Sequence, residues 1–465
     1  MKFKRFRSLF IGDKAFYKMV LIIALPIMLQ NGITNFVSLL DNIMVGQLGT
    51  EQMSGVAIVN QLIMIFYLCI FGALSAASLF ASQFYGQGNQ EGIKHTFAFK
   101  WIASIILSAI MLGIFCVFGD FLISLYLSNE TSGNLQATFA AAKQYLAVML
   151  VGLIPYAVAQ IYATTLREME QTMVPMIASS VAVVTNLIFN YLLIFGKFGM
   201  PELGVAGAAI ATVFSRFIEM GIVVVWTHAH EKVYPFVKGI YHSFRIPVDL
   251  VWEILKRGTP LLVNELLFSI GHATLVQAYS VRGLEVVAAQ NITATITSLF
   301  NVIYAAIGVA IGIVVGPLLG AGKLEEAVET NRKMIFFSVS CCFVIGSGMA
   351  LLAPLFPLAY NTTTYVRSLA AGLLRVAGIF MPIAAFYHAT YFTLRTGGKT
   401  IITFLFDGCF LMAVSVPIAF VLVRFTTLPV LIVYIAVQSA ELIKAVVGFV
   451  LIKKRIWVNN IVSDL

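Results

Sequence analysis

Tyr85-Gly86-Gln87-Gly88-Asn89-Gln90-Glu91 and Leu319-Gly320-Ala321-Gly322-Lys323-Leu324-Glu325 are one turn written twice, 234 residues apart. Each closes a long apolar run with Gly-x-Gly and opens the next with Glu. Pro26 and Pro260, and Gly49 and Gly283, fall in the same register, so five identities share one spacing. A weaker echo pairs Thr165-Leu166-Arg167 with Thr393-Leu394-Arg395. Self-similarity over so long a period marks a duplicated unit that fills half the chain. Neither turn follows a strand or carries the Lys-Ser/Thr of a phosphate loop, so nucleotide coupling has no support here.

The runs that these turns punctuate belong in lipid. Hydrophobic residues make up 60% of the 465 and charged residues only 11%, at a mean hydropathy of +0.93, whereas soluble domains carry about 25% charge. Uncharged stretches of about 18 residues or more recur, each long enough to cross roughly 30 Å of hydrocarbon. Hydropathy and polar punctuation predict helices near 16–45, 52–83, 95–118, 135–165, 171–196 and 203–228, then 249–280, 285–319, 332–358, 366–394, 400–424 and 428–452. The expected fold is therefore an all-α integral membrane protein of twelve transmembrane helices. Its expected parts are an N-terminal six-helix bundle (1–228), a connecting loop (229–248) and a C-terminal six-helix bundle (249–465). Six is an even number, so the two copies share one orientation and are related by an axis along the membrane normal.

The net charge of +9 is explained by orientation rather than by nucleic acid. Lys2, Lys4, Arg5, Arg7, Lys14 and Lys18 cluster before the first run, and Lys232, Lys238, Arg245, Lys256 and Arg257 cluster at the chain centre. Only Lys143, Lys197, Arg282, Arg367 and Arg424 fall on the other side. Positive residues favour the cytoplasm, so both termini and the central loop are expected there, in a multi-pass protein of the cell membrane. The basic start precedes an apolar segment longer than a signal-peptide core and without a small-x-small cleavage site, and reads as a retained first helix. The five cysteines sit within apolar runs, where they serve as small hydrophobic residues; no disulfide framework or CxxC metal pattern is present.

These residues resemble the multidrug and toxic compound extrusion (MATE) transporters over nearly the whole chain. The resemblance is carried by Leu25-Pro26, by Leu40-Asp41-Asn42-Ile43-Met44-Val45-Gly46, and by Ala81-Ser82-Gln83 running into Gly86-Gln87-Gly88-Asn89. It continues through Leu166-Arg167 with Val174-Pro175-Met176, Asn186-Leu187-Ile188-Phe189-Asn190, and Gly204-Val205-Ala206-Gly207-Ala208-Ala209-Ile210-Ala211-Thr212. It implies two six-helix bundles around a V-shaped central cleft, and exchange of an organic substrate for H+ or Na+. Two departures bear on the ion. Members often have Asp where this chain has Asn190, and a sodium-coupled branch places an acid in the tenth helix, whereas residues 366–394 contain neither Asp nor Glu.

A charged side chain at a helix centre in lipid costs about 2.5 to 3.5 kcal/mol on insertion scales, so acids at that depth face a cavity or a partner. Asp41, Glu219, Glu265, Asp407 and Glu441 are such acids. The resemblance places a coupling Asp in the Asp-x-x-x-x-Gly context of Asp41; the alternative is a helix-end carboxylate in external water. Asn186 and Asn190 share a helical face at i and i+4, and either complete a shell around Asp41 or cement helices. Glu265 and His272 lie seven apart on roughly one face, suited to a proton relay or a cationic drug, or else Glu265 makes a structural hydrogen bond. Asp407 either lines a cavity or meets Arg395 or Lys399. Glu441 with Lys444, and Glu219 with Arg216, read as structural pairs at i, i+3. His228 and His230 read as solvated loop rather than metal ligands.

The expected function is secondary active antiport of organic, cationic or amphipathic compounds. H+ is favoured as coupling ion, with Na+ at Asp41 or Glu265 the alternative. No cofactor, resident metal, nucleotide or nucleic acid is expected; the partners are small organic substrates and the bilayer, and the chain acts as a monomer. Thirty-seven Phe, 17 Tyr and 17 Met suit a cleft that repacks around flat apolar molecules. A lipid-linked saccharide flippase of the same superfamily is the competing reading. It needs a cationic chamber, and only Arg216, Arg375 and Lys444 read as deep. A membrane enzyme would show a His-rich box, a nucleophile motif or paired aspartates, and none is written in the chain.

Overall fold

The computed structural model describes residues 9–127, 134–239, 245–463 and 465. Lys2, Lys4, Arg5 and Arg7, on which part of the orientation argument rests, lie outside the described residues, as does His242 of the central loop.

Twelve helices are long and apolar enough to cross a membrane. They are α1 (Lys14–Gly46), α2 (Thr50–Gln87), α3 (Gln90–Leu127), α4 (Leu135–Glu168), α5 (Met173–Phe195) and α6 (Gly204–Ala229), then α7 (Val248–Ser280), α8 (Leu284–Gly320), α9 (Leu324–Leu352), α10 (Thr364–Thr396), α11 (Thr400–Phe425) and α12 (Val430–Lys453). Helix is the element that satisfies every backbone polar group within its own segment, which lipid requires. The all-α class and the twelve spans agree with the sequence expectation.

Two spans lie differently, and α3 runs over Gln90–Leu127 where 95–118 is expected. The expected 332–358 is Leu324–Leu352 in α9. Glu325 and Glu326 occupy its first turn, where the helix dipole favours acids, and carry the start eight residues earlier than hydropathy does. It ends at Leu352, two residues before Pro354, whose ring nitrogen has no N–H to continue the helical ladder.

Contacts divide the chain into two units. One comprises residues 1–28, 82–88 and 252–465, and the other 29–81 and 89–251. In the first, Val20, Ile23, Ala24 and Ile27 of α1 join a core built on Ala306, Ala310 and Val314 of α8, Met334 of α9 and Leu394 of α10, closed by Trp457 after α12. In the second, α4, α5 and α6 pack against one another.

The repeated turn has a structural reason within the first unit. A Cβ on Gly86 would lie 1.9 Å from the Pro317 carbonyl oxygen, and a Cβ on Gly320 would lie 1.9 Å from that of Gln83. Positions 83 and 317, like 86 and 320, are equivalent in the repeat, so the ends of α2 and α8 cross reciprocally, backbone on backbone. Only glycine permits that approach. Gly86→Ala is therefore expected to lower the thermal unfolding temperature of the purified protein, with an overpacking cost of at least about 1–3 kcal/mol. Gly113→Ala, in α3 with nothing within 4 Å of the added carbon, should leave it unchanged. Equal unfolding temperatures for the two variants would contradict the crossing.

Candidate functional site

In the second unit a cavity of about 450 Å³ is lined by Asp41, Asn186, Thr212, Arg216, Glu219 and Tyr156, among others. Asp41 lies near the end of α1 and is half-buried. Asn190 Nδ2 donates to its Oδ1 at 2.7 Å. One turn earlier on α5, Asn186, with its amide oriented so that donors meet acceptors, turns its nitrogen to both Asp41 oxygens at 3.1 and 2.9 Å and its oxygen to the Thr212 N–H and hydroxyl at 3.3 and 3.2 Å. The i, i+4 spacing aims both amides at one carboxylate. Of the sequence alternatives, the shell around Asp41 is the one the structure has.

Arg216 and Glu219 pair at 3.0 Å on α6. The pair lines the same cavity as Asp41, which the sequence reading of a structural pair did not place. The Arg216 guanidinium stands 5.1 Å from the Tyr156 ring and 5.9 Å from that of Tyr67, a cation–π arrangement over two rings 4.2 Å apart. Arg167 donates to Gln30 at 2.7 Å.

A second polar centre lies within the first unit. Glu265 Oε1 accepts from the Tyr391 hydroxyl at 2.9 Å. Asp407 meets Lys444 at 2.5 Å, a cation more distant in sequence than Arg395 and Lys399, the two that sequence proximity suggested. Asn264 of α7 donates to the other Asp407 oxygen at 3.4 Å and accepts the Gly408 N–H at 2.8 Å. Around Asp407 the backbone widens into π-helical turns, Leu405–Cys409 and Leu411–Ser415. Pro417 follows, and a proline ring inside a helix clashes with the carbonyl four residues back. Glu441 lies 3.7 Å from Lys444 and accepts from Ser415 at 3.0 Å. Lys444 thus does face Glu441, but its tighter contact is with Asp407.

Other candidates do not converge. His272 is exposed on α7, its ring edge-on to Phe268 at 4.7 Å, and no hydrogen bond joins it to Glu265 among the described residues. Arg375 is exposed on the surface of α10. His228 is in the last turn of α6, bonded to the Tyr162 hydroxyl at 2.9 Å, and the His230 ring stacks on Trp226 at 4.1 Å, so neither is simply solvated loop. Among the described residues no group of three or more His, Cys, Asp or Glu is placed to hold a metal ion.

Sequence reasoning missed one buried pair. Lys100 of α3 has a side chain with 0% exposure and reaches both Glu168 oxygens at 2.7 Å and the Thr165 hydroxyl at 3.0 Å. The signal was its place inside the run 95–118, where a cation needs a partner. Of the five acids singled out from the sequence, Glu219, Asp407 and Glu441 make ion pairs. Asp41 and Glu265 are held by neutral donors.

Twelve apolar spans, an internal repeat and a polar cavity with a carboxylate on its wall define the class of multi-pass membrane transporters. The MatE family model matches residues 26–192 and again 260–422, its two matches opening on the repeat-equivalent Pro26 and Pro260. The chain belongs to the MatE family. It is 25% identical over 413 residues to a probable multidrug resistance protein NorM of Thermotoga maritima, covering 88% of this chain and 86% of that protein. It is 23% identical over 426 residues to a probable multidrug resistance protein YoeA of Bacillus subtilis, covering 89% of each. Its fold is that of the Vibrio cholerae MATE transporter VcmN, with a TM-score of 0.85 over 96% of this chain and 98% of that one at 17% identity.

Proposed function

We propose that this chain exports organic, cationic or amphipathic compounds by antiport, exchanging them for H+ at Asp41. The observation that carries the reading is Asp41 itself, a carboxylate on the cavity wall whose hydrogen-bond partners are neutral amides. Such a group can face a proton or an organic cation but not both at once, and that competition is what antiport requires. A cavity of about 450 Å³ is of drug-accepting size. Relatives named for multidrug resistance support the direction of transport. One chain carries both repeats, so a single copy supplies the whole pathway, with both termini on the cytoplasmic side by the charge count.

The flippase alternative would need an excess of positive charge. Arg167 and Arg216 share the cavity with Asp41 and Glu219, which leaves two cations against two acids. The test is overproduction in a drug-sensitive bacterium. Accumulation of a cationic dye is expected to fall several-fold, and to recover when the proton gradient is collapsed. Unchanged accumulation across a panel of cationic and neutral compounds would defeat the export reading.

A further inference from the structure

The Lys444 ammonium sits among two carboxylates and two aromatic rings. It has Asp407 Oδ1 at 2.5 Å and Glu441 Oε2 at 3.7 Å, and stands 4.4 Å from the Tyr387 ring and 5.5 Å from that of Phe406. Two carboxylates and two aromatic faces are what a receptor for a small monovalent cation or a primary ammonium presents. The side chain is 4% exposed, and its two acids 15% and 12%. The acids are braced from outside the pair. Asn264 holds the second Asp407 oxygen and Ser415 holds Glu441. Gly408 has no side chain to block this: a Cβ there would come within 2.9 Å of Asn264 Oδ1.

We propose that Asp407 and Glu441 form a monovalent-cation site that Lys444 fills as a tethered ammonium, closing this centre to Na+ and to free organic cations. Lys444 is then an ion-selectivity residue. While its ammonium is seated, a mobile cation must displace a charge that is covalently attached and already desolvated. The consequence extends the proposed function by assigning H+ exchange to the Asp41 cavity alone, and it rests on that reading only there; the occupancy of the site stands independently.

The experiment uses purified full-length protein, with thermal unfolding followed in NaCl, methylammonium chloride and choline chloride at equal ionic strength. Wild type is expected to unfold at one temperature in all three. Lys444→Ala is expected to gain a saturable rise of several degrees in Na+ or methylammonium over choline, roughly what a ligand at a hundredfold excess over its Kd produces. Adding Asp407→Asn to that variant should remove the rise. A folded Lys444→Ala with equal unfolding temperatures in all three salts overturns the proposal, as does a Na+-specific rise in wild type that Asp407→Asn abolishes. If Lys444→Ala does not fold, Lys444→Met with Asp407→Asn and Glu441→Gln, which removes all three charges, is expected to recover folding without cation dependence. Failure of that variant to fold would mean that Lys444 does more than occupy the site, and would also overturn it. None of these readouts involves transport, so a failed export assay would leave the result standing.

Discussion

Asp41→Asn is expected to abolish drug-driven proton movement in everted vesicles, lowering it tenfold or more, while cationic drug still binds the purified protein. The amide keeps the shape and one acceptor oxygen toward Asn190, but can no longer gain or lose a proton. Exchange of one proton for one monovalent cation moves no net charge. The membrane potential then contributes nothing, and each unit of pH gradient supplies about 1.4 kcal/mol. A neutral substrate would also draw on about 2.3 kcal/mol per 100 mV. The same vesicles with and without Na+, and with Glu265→Gln beside Asp41→Asn, separate the two acids. Full coupling in Asp41→Asn, or an absolute Na+ requirement that Glu265→Gln abolishes, would move the ion site to the second polar centre.

The largest effect on stability is expected at the pair that sequence reading passed over. Glu168→Gln leaves the Lys100 ammonium, with 0% side-chain exposure, facing an amide and two threonine hydroxyls. Removing one partner of a buried ion pair costs about 3–5 kcal/mol, because the remaining charge stays desolvated. Replacing both partners by apolar residues, Lys100→Met with Glu168→Leu, should recover most of that loss. Thermal unfolding of the two single variants and the double variant measures the coupling directly. Single variants within about 1 kcal/mol of wild type would show that water, rather than Glu168 alone, carries the charge.

Much of this was legible in the chain, for physical reasons. Lipid imposes a minimum span and forbids unpaired backbone, so hydropathy alone located twelve helices. It erred at α3 and at α9, where the start is set by the acids Glu325 and Glu326, neither of which is apolar. The i, i+4 spacing of Asn186 and Asn190 gave a shared face, and a shared face is local geometry. That Asp41, about 150 residues away, completes the shell is tertiary, and only the family resemblance pointed to it. Partner choice across helices was the least readable feature. Asp407 lies closer in sequence to Arg395 and Lys399, yet it pairs with Lys444, since neighbours on a helix face are fixed by periodicity and neighbours between helices by packing.

The reciprocal crossing of Gly86 on Pro317 and Gly320 on Gln83 carries an evolutionary implication. A pair of contacts that repeats itself under exchange of the two copies is an isologous interface, the kind a half-length chain makes with its own twin. Fusion of two such halves removes the obligation to remain identical. The equivalent positions have since parted: Pro317 offers only a carbonyl, whereas Gln83 donates to the Thr396 and Asn459 carbonyls and accepts the Ile461 N–H. One copy of the contact is a bare crossing, and the other also tethers the carboxyl-terminal segment, a division of labour that two separate, identical subunits would not permit.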